Sequence, residues 1–287
     1  VVGDTSGAKD TLARIVRLGE RTSVLRRSAD DTDPSERVVV ANAQQLVIVV
    51  AAANPEPRTG FIDRAVVAAV DAGIEPILCI TKTDVRYPQH LLDYYAASGL
   101  KIVLSASSDG LAPSQDGAQG LESAPVQELL QELLGEVSVL LGHSGVGKST
   151  LVNALTGSDR ATGHVNAVTG RGRHISSSAL ALRPVERDGR PVPAGTWIID
   201  TPGIRSFGLA HVPRETVVGA FVDLAPGAAD CPKGCTHAAQ APDCGIEAYV
   251  AAGKAGPSGP ERLESLRKLL LLTPEEGDSE KELGALA

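Results

Sequence analysis

The sequence contains no Met, one Trp and three Phe among its 287 residues. Because Met is absent even at position 1, we expect the sequence to start within a longer reading frame. The longest apolar run without a charge, residues 38–53, is interrupted by Asn42, Gln44 and Gln45. A membrane-spanning helix needs about 18 or more apolar residues, so none is predicted. The first ten residues lack the basic-then-apolar layout of a secretion signal, which favours a cytoplasmic protein.

Positive charge is in deficit, since 27 Lys and Arg stand against 35 Asp and Glu, for a net charge of −8. This balance argues against a protein that coats nucleic acid over its whole surface. Hydrophobic residues make up 43% and charged residues 22%, which is ordinary for a globular protein and excludes disorder along the whole chain. Residues 9–27 nevertheless carry six basic and two acidic residues, so this segment is a candidate RNA surface.

Only four cysteines are present, and three of them lie close together near the C-terminus. Cys79 stands in an apolar run and is predicted to be a buried strand residue. The segment CPKGCTHAAQAPDC offers three thiols and one imidazole, from Cys231, Cys235, His237 and Cys244. Such a set suits a structural Zn²⁺ with no open coordination position. The alternative is three reduced surface thiols beside a solvated His.

Buried strands alternate with helices along the middle of the chain. Continuous apolar runs predict strands, and apolar residues at helical spacing predict helices. The pattern predicts an α/β fold in which a parallel sheet carries helices on both faces. The strands are expected at residues 45–52, 75–81, 101–105, 136–141 and 195–199, and helices at 59–72, 89–98, 124–134 and 261–272. Residues 11–27 predict two short strands, either the remnant of a small β-barrel or a ribbon packed on the next domain.

Residues 142–149 match the phosphate-loop pattern G-x-x-x-x-G-K-[ST], between a predicted strand and a predicted helix. In such a loop backbone N–H groups surround the phosphates, the Lys reaches the β/γ oxygens and the Ser binds Mg²⁺. The alternative is a chance glycine turn. The candidate nucleotide-binding residues here are Gly142, His143, Ser144, Gly145, Val146, Gly147, Lys148, Ser149 and, next in the helix, Thr150. Lys148 is also a candidate catalytic residue.

A second motif, DTPG at 200–203, comes directly after the predicted strand at 195–199. An acidic residue at a strand end holds Mg²⁺ through water, and a glycine N–H meets the γ-phosphate. Asp200 and Gly203 are therefore assigned these roles, although DTPG alone would be read as a turn.

The motif TKTD at 81–84 predicts a base site, because a carboxylate accepts hydrogen bonds from the N1–H and exocyclic amine of guanine. Asp84 would then select GTP over ATP, and the aliphatic stem of Lys82 would cover the base. Residues Ser105 and Ala106 come after the next strand, where a backbone N–H can meet guanine O6. The alternative reading of an exposed TKTD is a polar turn. The base motifs precede the phosphate loop, which is the reverse of the usual order and indicates a circular permutation of the GTPase fold.

These motifs, with the segment WIIDTPGIRSFGL, resemble the ribosome small-subunit-dependent GTPase A family over essentially the whole chain. The family comprises circularly permuted bacterial GTPases that act late in assembly of the small (30S) ribosomal subunit. The resemblance implies a partial OB-fold segment and linker (1–35), a GTPase domain (36–212) and a small helical zinc-binding domain (213–287). It also implies GTP/GDP, Mg²⁺ and one Zn²⁺ as ligands. We expect a cytoplasmic monomer that binds the 30S subunit and its 16S rRNA, and no membrane.

Two departures from the family pattern concern the nucleotide. Thr81 stands where the family has Asn, and the segment GRGRHIS carries Ile175 in place of one switch Thr. Ser176 matches the position that binds Mg²⁺ and the γ-phosphate, and it supplies a hydroxyl.

The residue after DTPG is Ile204, which cannot orient a water molecule. The resemblance therefore points to His174 as the catalytic group, the alternative being contact with RNA or solvent. Arg171 and Arg173 beside it are candidates for rRNA phosphates. Two rival functions stay open: a GTP-bound rRNA-docking factor with negligible hydrolysis, and a P-loop ATPase or kinase.

Overall fold

The computed structural model describes residues 2–4, 14–17, 19–28, 36–106, 124–158, 179–186, 191–202 and 208–272. The strands are β1 (Val2–Asp4), β2 (Arg14–Arg17), β3 (Val24–Ser28), β4 (Glu36–Ala41), β5 (Gln45–Ala51), β6 (Glu75–Thr81), β7 (Lys101–Leu104), β8 (Val137–Gly142), β9 (Leu180–Leu182) and β10 (Trp197–Asp200). The helices are α1 (Thr59–Asp71), α2 (Gln89–Tyr95), α3 (Ala124–Leu133), α4 (Lys148–Thr156), α5 (Arg214–Ala220), α6 (Gly245–Ala251) and α7 (Gly259–Leu270), with a 3-10 helix at Ala225–Asp230. Every described helix is too short or too polar to cross a lipid bilayer.

A six-stranded sheet in the order β7-β6-β5-β8-β10-β9 forms the centre of the molecule. The five strands predicted from apolar runs pair in parallel, which confirms that part of the prediction. The sheet is mixed and not wholly parallel, because β9 pairs antiparallel with β10 at one edge. The sequence pattern missed β9 because it has only three residues and none of them is buried.

The two faces of the sheet bury separate apolar cores, as the two-residue period of strands requires. On β5, Leu46, Ile48 and Val50 face one core, which includes buried residues of α1, α2, α5 and α7. Val47 and Val49 face the other, which includes buried residues of α3 and α4. The predicted helices on both faces are thus confirmed, and the carboxyl ends of β5, β6, β7, β8 and β10 meet at one edge of the sheet. Ligands bind at this edge in open α/β sheets.

The N-terminal strands form small ladders outside the central sheet. The two strands predicted within residues 11–27 are present as β2 and β3, but they do not pair with each other. Instead β2 pairs with β1, and β3 forms an antiparallel ribbon with β4. Leu25 of β3 is fully buried in the core that contains α1, and Ser28 bridges to Gly208. Of the two alternatives, the ribbon packed on the next domain describes β3 and β4, and the partial OB-fold stays a prediction.

Candidate nucleotide and metal site

The phosphate-loop motif lies between the central strand β8 and α4, in the predicted strand–loop–helix context. Gly145 and Gly147 have φ of 83° and 92°, a left-handed conformation that side chains other than Gly rarely adopt. A Cβ atom on Gly142 would lie 2.6 Å from the carbonyl oxygen of Val49, so the close pairing of β8 with β5 requires Gly there. Ser144 is exposed, and Ser149 and Thr150 are half-buried in the first turn of α4. The loop therefore has the backbone shape that surrounds phosphate oxygens.

Thr81 joins the base motif directly to the phosphate loop. Its hydroxyl lies 2.5 Å from the carbonyl oxygen of Val146 and 3.2 Å from that of Val50. Thr81 is only 2% exposed, so a buried hydroxyl connects the ends of β5 and β6 to the loop after β8.

Lys82 makes a second connection between the two motifs. Its Nζ atom donates to the carbonyl oxygen of Gly145 at 2.8 Å and also to that of Asn54. Its backbone has φ of 57°, a conformation that is uncommon outside glycine and is found at functional sites. The side chain thus spans from the TKTD motif to the phosphate loop.

The second base segment is held against the first by backbone hydrogen bonds. Thr83 N–H donates to Ser105 C=O at 3.2 Å, and Ser105 N–H donates to Ile80 C=O at 2.8 Å. Ser105 is 1% exposed, and its hydroxyl finds no hydrogen-bond partner among the described residues. Asp84 lies on the exposed side of this junction, and Ala106 comes after Ser105 at the end of the described segment. Sequence motifs that are far apart in the chain therefore converge at one edge of the sheet.

Lys148 and Asp200 form a buried ion pair beneath the phosphate loop. Lys148 is 8% exposed and Asp200 is 5% exposed, and the Nζ atom of Lys148 donates to Oδ1 of Asp200. The same Nζ lies 2.5 Å from the carbonyl oxygen of Thr201, whose hydroxyl donates to Leu140 C=O at 2.7 Å. The adjacent strands β8 and β10 place the phosphate-loop and DTPG segments side by side.

His143 occupies the second position of the phosphate-loop motif and packs on α1. Its ring centroid lies 4.2 Å from that of Phe61 at an interplanar angle of 47°. Burial lowers the pKa of His143, and the positive charge of Arg58 acts in the same direction. The imidazole is thereby kept neutral at neutral pH. This contact with α1 carries no sequence motif and was not predicted.

Three of the predicted nucleotide-site residues, His174, Ser176 and Gly203, lie outside the described residues. Arg171, Arg173, Ile175 and Ile204 lie outside them as well.

The cysteine cluster comes together as its spacing predicts. The ligand atoms of Cys231, Cys235, His237 and Cys244 all lie within 4.8 Å of one another. His237 Nδ1 is 3.5 Å from the Sγ of Cys231 and 3.8 Å from that of Cys244. Burial lowers the pKa of His237, with Arg214 and Arg267 acting in the same direction, which favours the neutral imidazole that binds metal ions. A Cys₃His donor set of this compactness could hold zinc.

Arginines from the surrounding helices hold the backbone of this cluster. Arg267 of α7 donates from Nε to His237 C=O at 3.0 Å, and Arg214 of α5 donates to Thr236 C=O at 3.1 Å. The N–H of Gly245 also points to Cys231 Sγ at 3.2 Å, as in the outer shells of metal sites.

A family model described as RsgA GTPase matches residues 18–210. The chain belongs to the RsgA GTPase family. It is 36% identical over 245 residues to the small ribosomal subunit biogenesis GTPase RsgA of Pseudomonas aeruginosa, a match that covers 83% of this chain and 65% of that relative. It is 37% identical over 263 residues to the protein of the same name from Azotobacter vinelandii, covering 91% of this chain and 70% of the relative. The chain thus spans less than two thirds of the length of the Pseudomonas relative.

Two solved structures share the fold. YjeQ from Thermotoga maritima aligns with a TM-score of 0.58 and 24% identity, over 90% of this chain and 79% of that one. YloQ, described as a circularly permuted GTPase, aligns with a TM-score of 0.60 and 21% identity, over 94% of this chain and 79% of that one. The fold of this chain is therefore a circularly permuted GTPase fold, as the reversed motif order predicted.

Proposed function

We propose that this protein binds and hydrolyses GTP and acts in maturation of the small ribosomal subunit. The observation that carries the proposal is the pair of contacts from Thr81 and Lys82 to the phosphate loop. They support the proposal because they join the TKTD segment, proposed to bind guanine, to the loop proposed to bind the phosphates. The relatives named small ribosomal subunit biogenesis GTPase supply the cellular process.

Different residues bind different parts of the nucleotide. Asp84 accepts hydrogen bonds from the base, with Ala106 N–H on guanine O6, and backbone N–H groups of residues 143–148 bind the phosphates. Lys148 leaves Asp200 to bind the β/γ oxygens, so that its charge stabilises the negative charge that grows during hydrolysis. Ser149, Ser176 and Asp200 would hold Mg²⁺, which neutralises phosphate charge when it is bound. Gly203 N–H meets the γ-phosphate, and His174 orients the attacking water.

The remaining parts of the chain serve the ribosomal role. Residues 1–35 are a partial OB-fold segment and linker, 36–212 the GTPase domain and 213–287 a zinc-binding domain. Cys231, Cys235, His237 and Cys244 would hold one Zn²⁺, which would stabilise the last of these. Arg171, Arg173 and the basic segment 9–27 contact 16S rRNA, and the protein works as a cytoplasmic monomer without a membrane partner.

Single-turnover GTP hydrolysis, with and without purified 30S subunits, tests this function. We expect slow hydrolysis alone and a large acceleration by 30S subunits, with GDP but not ADP as a competitor. Asp84→Ala tests the recognition of the base, and His174→Ala tests the orientation of the attacking water. Asp84→Ala should lose the preference for GDP, and His174→Ala should lose the acceleration while it still binds GTP. Equal rates with and without subunits would favour a GTP-bound docking factor, and competition by ADP would favour an ATPase.

A further inference from the structure

A buried network of charged and aromatic side chains joins four segments that are distant in the sequence. Asp63 of α1 is 2% exposed and accepts four hydrogen bonds. The donors are Arg262 Nη1 at 2.8 Å, Ser265 Oγ at 2.5 Å, Tyr95 Oη at 3.0 Å and Tyr94 Oη at 3.1 Å. Two of these donors come from α2 and two from α7, so the Asp63 carboxylate connects α1 to both helices through hydrogen bonds.

Arg262 is the centre of this network. It is 3% exposed, and it donates to both oxygens of Asp223 at 2.8 and 2.9 Å as well as to Asp63. Its guanidinium also lies over the ring of Phe221, 4.5 Å from the centroid. Burial opposes its charge, but the hydrogen bonds to Asp223 and the attraction of Asp63 raise the pKa of Arg262. A planar guanidinium with carboxylates on two sides allows one geometry, so the position of α7 relative to α1 is fixed.

The same two helices also reach the two candidate ligand sites. At its N-terminal end α1 carries Phe61, whose ring packs on His143 of the phosphate loop. Beyond Arg262, α7 carries Arg267, which holds the backbone of His237 in the cysteine cluster. A continuous series of contacts therefore runs from the phosphate loop through α1 and α7 to the cysteine cluster.

We infer that Asp63 and Arg262 are positioning residues, which set α1 and through Phe61 the phosphate loop, so that nucleotide binding is coupled to the C-terminal cysteine-bearing part. This inference rests on the proposed nucleotide site. Packed elements with such contacts carry coupling energy between sites, and the coupling acts equally in both directions. A nucleotide bound at the loop would stabilise the docked position of α7, and a partner bound at the C-terminal part would change nucleotide affinity.

The test is a double-mutant cycle on the dissociation constant of GDP, measured by calorimetry on the full chain. Phe61 and Arg262 do not bind each other. If they act independently, the fold-changes in the GDP dissociation constant caused by Phe61→Leu and Arg262→Met should multiply to within about twofold. We expect Arg262→Met to weaken GDP binding by roughly fivefold or more, the lower end of typical allosteric coupling. In the Phe61→Leu background, where the connection is already broken, the same change should have less than about a twofold effect.

Two further variants keep the test decisive. Tyr94→Phe removes one donor to Asp63 and is expected to fold even if Arg262→Met does not, with a smaller loss of affinity that again disappears in Phe61→Leu. Lys268→Gln changes an exposed residue of α7 and should leave GDP affinity unchanged. GDP affinity unaffected by Arg262→Met and Tyr94→Phe, or reduced equally in both backgrounds, would overturn the inference and leave a purely structural network. A wild-type chain that does not bind GDP would instead contradict the proposed function.

Discussion

Among the residues that the structure describes, two groups of charged side chains are buried, and they are built in opposite ways. Within the described part of the chain, Lys148 beneath the phosphate loop contacts one carboxylate and one backbone carbonyl, at a glycine-rich turn. Arg262 contacts two carboxylates through three hydrogen bonds and is covered by aromatic rings.

This difference separates a charged group that can exchange its partner for a ligand from a charged group that holds helices in a fixed position. A flexible ammonium with a single carboxylate can transfer its hydrogen bonds to an incoming phosphate at modest cost. A guanidinium with carboxylates on two sides cannot leave without exposing two buried negative charges. The first group therefore suits ligand binding, and the second suits the fixed packing of α1, α2 and α7.

The largest effect on stability is expected for Arg262→Met, which leaves Asp63 and Asp223 buried without their cation. We expect the free energy of unfolding to fall by about 3–5 kcal/mol, the usual cost of removing one partner of a buried ion pair. Urea denaturation measures this loss. Lys268→Gln on the same helix is the control, because its ion pair with Glu264 is exposed to solvent and such pairs contribute little to stability. A loss no larger than that of the control would show that the two groups do not differ in this way.

Lys148→Met should affect turnover strongly and stability less, the reverse of what is expected for Arg262→Met. We expect GTP turnover to fall by about 10²- to 10³-fold, as for removal of one preorganised donor to developing charge. The free energy of unfolding should fall less than for Arg262→Met, because the lost cation faces one buried carboxylate and not two. Single-turnover hydrolysis and urea denaturation of the same preparation check both parts. Turnover within tenfold of wild type would contradict the assignment of Lys148.

Thr81→Val should have a smaller effect that is confined to the nucleotide end. It removes the hydroxyl that donates to Val146 C=O, at a cost of about 1 kcal/mol, or about fivefold in GDP affinity. Thr81→Ser keeps the hydroxyl and is the matched control, so calorimetry on both variants separates the hydrogen bond from the change in shape. If both variants bind GDP as wild type does, the connection between the motifs does not depend on this hydroxyl.

The smallest effect concerns pH. The pKa of His143 is lowered from 6.5 on folding. Between the lowered pKa and pH 6.5, the unfolded chain therefore binds a proton that the folded chain does not. The contribution of His143 is therefore fully present above pH 6.5 and decreases as the pH falls toward the lowered value. His143→Gln should flatten this part of the stability–pH curve measured by urea denaturation, whereas the same change at the exposed His90 of α2 is the control. Parallel curves for wild type and His143→Gln would exclude the effect.

The sequence predicted the features that short motifs and hydrophobic periodicity encode. The apolar runs located β5, β6 and β8 to within a residue or two, and the spacing of Cys231, Cys235, His237 and Cys244 predicted their cluster. Contacts without a local pattern escaped prediction. From the sequence alone, Asp63 in α1 and Arg262 in α7 look like ordinary solvated charged residues. Their ion pair joins positions 199 residues apart, so no local pattern predicts it. The antiparallel β9 and the contact of Phe61 with His143 also depend on tertiary packing alone.

We propose that the TKTD motif and the phosphate loop bind the two ends of one guanine nucleotide. A crystal structure of the chain with GDP and Mg²⁺ decides this. We predict the Asp84 carboxylate within hydrogen-bond distance of the guanine N1 and exocyclic amine, and the β-phosphate among the backbone N–H groups of residues 143–148. A nucleotide whose base lies away from Asp84, or whose phosphates lie outside that loop, would contradict the account.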